Sequence, residues 1–141
     1  LLALMATLHF LGFRLVVVLT DSMEPAIPRG SLVLVAPAWL EDPNVGDVIL
    51  YRVEIASNEY LILHRAVDVQ NGFFLTKGDN REFRDPWIVE SRNIVGVAVF
   101  TIPALGRILL VARPLLVFIA TTLAVYPVIK YIVTRVAKTI S

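Results

Sequence analysis

A serine and a histidine, each beside an apolar run, are the residues of this chain best suited to chemistry. Ser22 follows the apolar residues 15–19, and its hydroxyl could attack a carbonyl carbon once a base removes its proton. His64 lies within the apolar run 60–67, and an imidazole can accept a proton at neutral pH. The pair therefore has the composition of a nucleophile and a general base. A turn serine and a hydrogen-bonded core histidine are the ordinary alternatives for the two residues.

A carboxylate that holds the imidazole in one tautomer would complete a triad. Three acids occupy one charged segment downstream of the histidine: Asp79, Glu82 and Asp85. Each could equally be a solvated loop acid or a partner of Arg81 or Arg84. Lys77 is a rival base, since a desolvated amine can also activate a serine. The residues alone leave the base and the acid open.

Composition excludes several other kinds of site. The 141 residues contain no cysteine, so a disulfide framework, a thiolate metal site and a cysteine nucleophile are all excluded. A formal net charge of +1 gives no basis for nucleic-acid binding, which draws its affinity from many clustered Lys and Arg residues. Hydrophobic residues make up 57% of the chain, more than in an ordinary soluble domain, and indicate membrane segments.

The elements that must position the serine and histidine are predicted to be strands. Short runs of β-branched and aromatic residues, separated by turn-forming residues, predict strands at 15–19, 31–36, 47–53, 60–69, 73–76 and 94–101. Asn71-Gly72 between two apolar runs predicts a hairpin. We therefore expect a mostly β fold, an antiparallel β domain with hydrophobic helices at its N-terminal and C-terminal ends.

The two ends of the chain are predicted to be membrane anchors. We expect residues 1–13 to be the end of an N-terminal anchor, residues 14–102 to be the β-rich catalytic domain, and residues 103–141 to carry a C-terminal transmembrane helix. Within the last segment, residues 103–113 are expected along the interface, with Pro114 in the first turn of the spanning helix. Basic residues near its end favour a cytoplasmic C-terminus: Lys130, Arg135 and Lys138.

Four short motifs, in a fixed order, resemble signal peptidase I. They are Ser22-Met23-Glu24-Pro25, Gly46-Asp47-Val48-Ile49, His64-Arg65 and Lys77-Gly78-Asp79-Asn80, followed by a second aspartate six residues after Asp79. The bacterial branch of that family carries Lys-Arg at the base position, whereas the archaeal and endoplasmic-reticulum branch carries His-Arg. The chain thus resembles the second branch, over about residues 15–100.

The resemblance implies a serine endopeptidase and a role for each matching residue. Ser22 would be the nucleophile, His64 the base and Asp85 the triad acid, with Asp79 as a further carboxylate of the site. Thr20 matches the position of a hydroxyl that serves the oxyanion hole beside the N–H of the nucleophile. Arg65 would support the site, and no metal or organic cofactor is implied.

The implied substrates are secretory preproteins with small residues before the cut, as in A-x-A sites. The catalytic domain would lie on the extracytoplasmic side of the cell membrane, or of the endoplasmic-reticulum membrane, as part of a multi-pass protein. The resemblance leaves the need for accessory subunits open. Two alternatives are a non-catalytic membrane-anchored β module and a regulatory serine protease of related fold. Large apolar side chains could line substrate pockets, dip into the interface or fill the core: Trp39, Leu40, Phe73, Phe74 and Trp87.

Overall fold

The computed structural model describes the backbone of residues 7–140 and the side chains of residues 7–131. Residues 1–6, nearly half of the predicted N-terminal anchor, lie outside this described part. Of the rest of that segment, residues 7–10 are helical and residues 11–12 form a turn. The side chains of Arg135 and Lys138, which favour a cytoplasmic C-terminus, also lie outside it.

The predicted antiparallel β fold is confirmed. In the described part of the chain, seven strands form one sheet, with the spatial order β1-β2-β7-β3-β4-β5-β6 and every neighbouring pair antiparallel. The strands are β1 (Arg14–Val17), β2 (Leu32–Pro37), β3 (Val48–Ile55), β4 (Asn58–Gln70), β5 (Phe73–Lys77), β6 (Ile88–Glu90) and β7 (Ile94–Ile102). β7 returns from the end of the chain's β-rich part to lie between β2 and β3, so β3 is the central strand.

The central strand is covered on both of its faces. Side chains alternate between the faces of a strand, and all four residues from Val48 to Tyr51 are buried. Val48 and Leu50 pack in one core cluster with Met23, which follows Ser22. Ile49 and Tyr51 pack in a second cluster on the opposite face. Burial of each such side chain contributes roughly 1.5–3 kcal/mol, which makes this strand the fixed frame of the domain.

Two hairpins connect the strands next to the site. The predicted Asn71-Gly72 hairpin joins β4 to β5, with φ of 51° and 81° at its two residues, as a type I′ turn requires. The β3–β4 hairpin instead places Ala56 and Ser57 at φ of 50° and 64°. Because neither residue is a usual left-handed turn former, the sequence does not indicate where β3 ends, and the hairpin extends beyond the predicted limits.

Strand β6 was not predicted. Three residues are too few to show alternation of apolar and polar side chains, and Pro86, two residues before Ile88, favours a loop. β6 pairs with β5 over Phe73 to Leu75, followed by a single 3-10 turn over Ser91–Asn93. Because β6 pairs with β5, the segment between the two strands, which carries Asp79 and Asp85, is fixed at both ends.

The C-terminal segment is one continuous helix, α1 (Leu105–Ile140). The prediction that the helix starts at Pro114 is wrong, because Pro114 and Pro127 both lie inside the helix. Within the described residues it is the one helix long and apolar enough to cross a membrane, over Leu105–Tyr131. At 1.5 Å per residue these 27 residues span about 40 Å, against ~30 Å of hydrocarbon. The chain divides into two compact units, the second starting at Ile108.

The close approach of β2 and β7 gives a test of the sheet. A Cβ added at Gly96 would clash with the carbonyl oxygen of Ala36 and lie 2.9 Å from Val35 Cγ1. We expect Gly96→Ala to lower the free energy of unfolding by about 1–3 kcal/mol, because the two strands would have to separate. Val99→Ala, at an exposed position of β7, is the matched control and should change stability by less than about 0.5 kcal/mol. Equal melting temperatures for the two variants in detergent would contradict this packing.

Candidate active site

Ser22 lies in a turn that is held in place because neighbouring side chains pack in the core. Met23 is fully buried in the first core cluster, and Ile27 packs beside it. The Ile27 N–H donates to the carbonyl of Met23 at 2.8 Å, and the Asn80 N–H donates to the carbonyl of Ser22 at 2.9 Å. The serine, only 7% exposed, is thus held by its own turn and by the segment after β5.

His64 lies in β4 and contacts Ser22 through one ring nitrogen. The distance from His64 Nε2 to Ser22 Oγ is 3.0 Å. Directly opposite on β3 is Ile49, a member of the second core cluster, so the imidazole lies on that face of the sheet. The His64 side chain is 11% exposed. With its own proton on Nδ1, the imidazole can accept the hydroxyl proton of Ser22 at Nε2.

Asp85 contacts the other ring nitrogen. Its Oδ2 lies 2.7 Å from His64 Nδ1, and its side chain is 10% exposed. The backbone N–H of Asp85 donates to the carbonyl of Thr76 at 2.8 Å, which fixes the loop residue against the end of β5. Burial by itself raises the pKa of Asp85, but hydrogen bonds from His64 and Thr76 outweigh it and hold that pKa below its ordinary value. The carboxyl group is therefore ionised at neutral pH.

Two side chains without a role predicted from the sequence, those of Thr76 and Tyr51, donate to the same carboxylate. Thr76 Oγ1 donates to Asp85 Oδ2 at 2.6 Å, and the Tyr51 hydroxyl donates to the same oxygen at 3.0 Å. The indole N–H of Trp87 donates to the Tyr51 hydroxyl at 3.1 Å. Tyr51 and Thr76 are both fully buried. The available signal was a hydroxyl inside an apolar strand, which at a buried position must find a hydrogen-bond partner.

Asp79 and Arg65 form a separate ion pair. Arg65 Nε and Nη2 donate to the two carboxylate oxygens of Asp79 at 2.8 and 2.5 Å, and Nη1 donates to the carbonyl of Gly46 at 2.8 Å. The hydrogen bond to Asp79 raises the pKa of Arg65, which burial lowers in part. Of the two predicted aspartates, Asp85 thus contacts the imidazole of His64, and Asp79 contacts the guanidinium of Arg65. The pair ties the start of β3 to the turn after β5.

Thr20 lies beside the hydroxyl of Ser22, whereas Lys77 lies on the face of β5 opposite to Thr76. Thr20 Oγ1 lies 3.1 Å from Ser22 Oγ, on the exposed side of the site. Lys77 follows Thr76 in β5, and successive side chains of a strand point to opposite faces. Since Thr76 points to Asp85, Lys77 lies on the face of Arg65, its partner in the β4–β5 register. Of the two candidate bases, the imidazole is thus the one that lies within hydrogen-bonding distance of Ser22 Oγ.

Gly78 is packed directly against the serine and the histidine. A Cβ built on it would lie 2.6 Å from the Ser22 carbonyl oxygen and 3.2 Å from His64 Nε2. The glycine is needed here for lack of space, because an L side chain would push the two groups apart. The motif Lys77-Gly78-Asp79-Asn80 contains this glycine, but the sequence alone does not indicate its contacts with Ser22 and His64.

An apolar cleft of about 470 Å³ opens beside Ser22 and His64. One wall consists of residues 17–20, and the other of Ile55 and residues 60–64. The five large side chains considered as pocket residues lie elsewhere. Phe74 is in the second core cluster and Trp87 packs against it, while Trp39 is 71% exposed. No group of three or more His, Asp or Glu side chains that could hold a metal ion occurs among the described residues.

Comparison with known proteins identifies relatives. No family model matches the chain. It is 36% identical over 110 residues to the signal peptidase complex catalytic subunit SEC11C of Homo sapiens and of Mus musculus, covering 69% of this chain and 56% of each relative. It is also 36% identical over 109 residues to the signal peptidase complex catalytic subunit SEC11 of Saccharomyces cerevisiae (strain YJM789), covering 67% of this chain and 62% of the relative.

The chain spans somewhat more than half the length of the curated relatives that it matches. The family expected from the four ordered motifs is confirmed by these relatives. The chain belongs to the family of SEC11 signal peptidase catalytic subunits, the endoplasmic-reticulum type of signal peptidase I.

Proposed function

We propose that this chain is a membrane-bound serine endopeptidase that removes signal peptides from secretory preproteins. The observation that carries the proposal is the continuous hydrogen-bonded series from Ser22 Oγ through both nitrogens of His64 to Asp85, at the wall of an apolar cleft. The names of the matched relatives, which are catalytic subunits, agree with it. The catalytic domain is proposed to extend over residues 14–102.

In the proposed mechanism, His64 Nε2 takes the proton of Ser22 as Oγ attacks the scissile carbonyl. The ionised Asp85 keeps the ring proton on Nδ1 and stabilises the imidazolium that forms. His64 then gives the proton to the leaving amine as the C–N bond breaks, which leaves an acyl-enzyme on Ser22. Water, activated by the same imidazole, hydrolyses the ester and restores the hydroxyl. Each proton passes through one nitrogen, which already lies at 3.0 Å from the serine.

The oxyanion of the tetrahedral intermediate needs donors beside the nucleophile. The hydroxyl of Thr20, 3.1 Å from Ser22 Oγ, is the proposed side-chain donor, with the backbone N–H of Ser22 as the second. Asp79 acts in this scheme through Arg65, whose hydrogen bond to the Gly46 carbonyl holds the start of β3. Asp79 and Arg65 are therefore proposed as positioning residues.

The cleft suits an extended peptide. β4 pairs with β5 only from Arg65 onward, so residues 58–63 have no ladder partner on that side within the described sheet. An extended chain placed there could add as a strand, with main-chain hydrogen bonds supplying affinity. The apolar walls at 17–19 and 60–63 fit the small apolar residues that precede the cut in A-x-A sites. We propose this edge as the substrate-binding strand.

The membrane arrangement is proposed on the basis of the hydrophobic ends. α1 is the C-terminal anchor. Residues 1–13 would be the end of a second anchor, which makes the protein multi-pass, with the β domain on the extracytoplasmic side of the cell membrane or the endoplasmic-reticulum membrane. The lipid bilayer and secretory preproteins are the proposed partners.

The nucleophile assignment is tested by Ser22→Ala. We expect preprotein cleavage by the purified full chain in detergent to fall by at least about 10³-fold, because only the attacking oxygen is lost. The melting temperature should stay unchanged, since Met23 and Ile27 hold the turn. Lys77→Ala is the matched control and should retain most of its activity. Cleavage by Ser22→Ala would contradict the assignment, and an inactive Lys77→Ala would favour a Ser-Lys pair.

The two aspartates are distinguished by paired amide substitutions. Asp85→Asn should lower kcat by about 10³- to 10⁴-fold at a near-normal melting temperature, because an amide favours the wrong imidazole tautomer. Asp79→Asn should lower the melting temperature by about 5 °C, with a smaller loss of rate, because it breaks the pair with Arg65. The assignment is reversed if Asp79→Asn is stable and inactive while Asp85→Asn still cleaves.

The space at Gly78 gives a third functional test. Gly78→Ala should lower kcat by about 10²-fold, since a misplacement of about 1 Å between nucleophile and base costs that much. Gly72→Ala is the control, because a Cβ there meets no atom within 4 Å and its strained φ affects stability alone. A Gly78→Ala enzyme with the parent's kcat would show that Ser22 and His64 tolerate the displacement.

A further inference from the structure

We propose that Trp87, Tyr51 and Thr76 form a one-way chain of hydrogen-bond donors that ends on Asp85 and aims its carboxylate at His64, which makes Tyr51 a positioning residue of the site. The inference rests on the proposed function for the role of Asp85. Its physical basis is the convergence of three donors on the single oxygen Oδ2, from His64, Thr76 and Tyr51.

The direction of the chain follows from the donor inventory. An indole N–H can only donate, so the Tyr51 hydroxyl must accept at its contact with Trp87. The single proton of that hydroxyl is then left for Asp85 Oδ2 or Thr76 Oγ1, both at 3.0 Å. Thr76 donates to Asp85 at the shorter distance of 2.6 Å. In either arrangement, every proton of the chain points toward the carboxylate.

A chain of donors favours the ionised form of its acceptor. A proton on Oδ2 would compete with three donors for the same lone pairs, whereas the carboxylate accepts all of them. Burial raises the pKa of Tyr51, so the hydroxyl keeps its proton at any working pH. Asp85 is thereby maintained as an acceptor for the Nδ1 proton of His64.

The series of donors also fixes the position of the Asp85 side chain. Asp85 lies in the connection between β5 and β6, and a loop aspartate can normally rotate about its side-chain bonds. Tyr51 from β3 and Thr76 from β5 hold its oxygen from two different strands, and both are fully buried. Tyr51, Thr76 and Trp87 do not line the cleft beside Ser22, so the loss of their hydrogen bonds should leave substrate binding unaltered.

Steady-state kinetics of the full chain in detergent provide the first test. Tyr51→Phe and Thr76→Val should each lower kcat about tenfold with unchanged KM, because each removes one donor to a charged acceptor. Thr76→Ser keeps the hydroxyl and should restore most of the rate. Val97→Ala, in the same core cluster but in β7, should lower the melting temperature without affecting kcat. A parent-like kcat in Tyr51→Phe, or a tenfold loss in Val97→Ala, would overturn the positioning role.

The second test does not require cleavage. The chain has two histidines, so His9→Gln leaves His64 as the single ¹⁵N-imidazole signal. In that background we expect the Nδ1-protonated tautomer to predominate, and Tyr51→Phe to shift part of the population to the Nε2-protonated form. An unchanged tautomer ratio would contradict the inference. A shifted ratio in a chain that cuts no preprotein would support the donor chain and reject the proposed function instead.

Discussion

The rest of the site depends on the two hydrogen bonds of the His64 imidazole, one at each ring nitrogen. These bonds join the ring to groups that are held by different cores. Ser22 is fixed through Met23 to the cluster on one face of the central strand. Asp85 is fixed through Tyr51 to the cluster on the other face. The geometry of the Ser22, His64 and Asp85 contacts therefore depends on the relative position of the two cores. β3 fixes that position because it contributes alternate residues to both cores.

A buried polar network of this kind is stable only when each member has a partner. Among the described residues that are not exposed, no buried side-chain nitrogen or oxygen lacks one. The indole N–H of Trp87 donates to the Tyr51 hydroxyl, and a backbone carbonyl of β5 accepts from the N–H of Asp85. An ionised carboxylate can be buried here because three donors replace its water, so burial and charge do not conflict. The same groups that make the site chemically useful also satisfy the core.

The sequence predicted the parts of the fold that depend on local pattern. Runs of β-branched and aromatic residues between turn formers indicated the long strands. Asn71-Gly72 indicated its hairpin, because left-handed backbone is favoured at those residue types. Ala56-Ser57 and the three-residue strand β6 carry no such local signal and form through tertiary pairing. The helix continues through Pro114 where local rules predict a start. At the site, motif order indicated Ser22, His64 and both aspartates. The contacts of Tyr51 and Thr76 with Asp85, and of Gly78 with Ser22, depend on packing between strands that are distant in sequence, so the sequence did not indicate them.

The unpaired edge of β4 has a further consequence for the behaviour of the free protein. A strand edge with unsatisfied backbone groups and apolar neighbours is a template for aggregation, which proteins limit by keeping such edges short and charged. Within the described sheet the free stretch is confined to residues 58–63, and Glu59 lies near its tip in a pair with Arg52 across the hairpin. β5 closes the edge from Arg65 onward. The short length of this edge and the charged pair near its tip therefore limit edge-to-edge association of two copies.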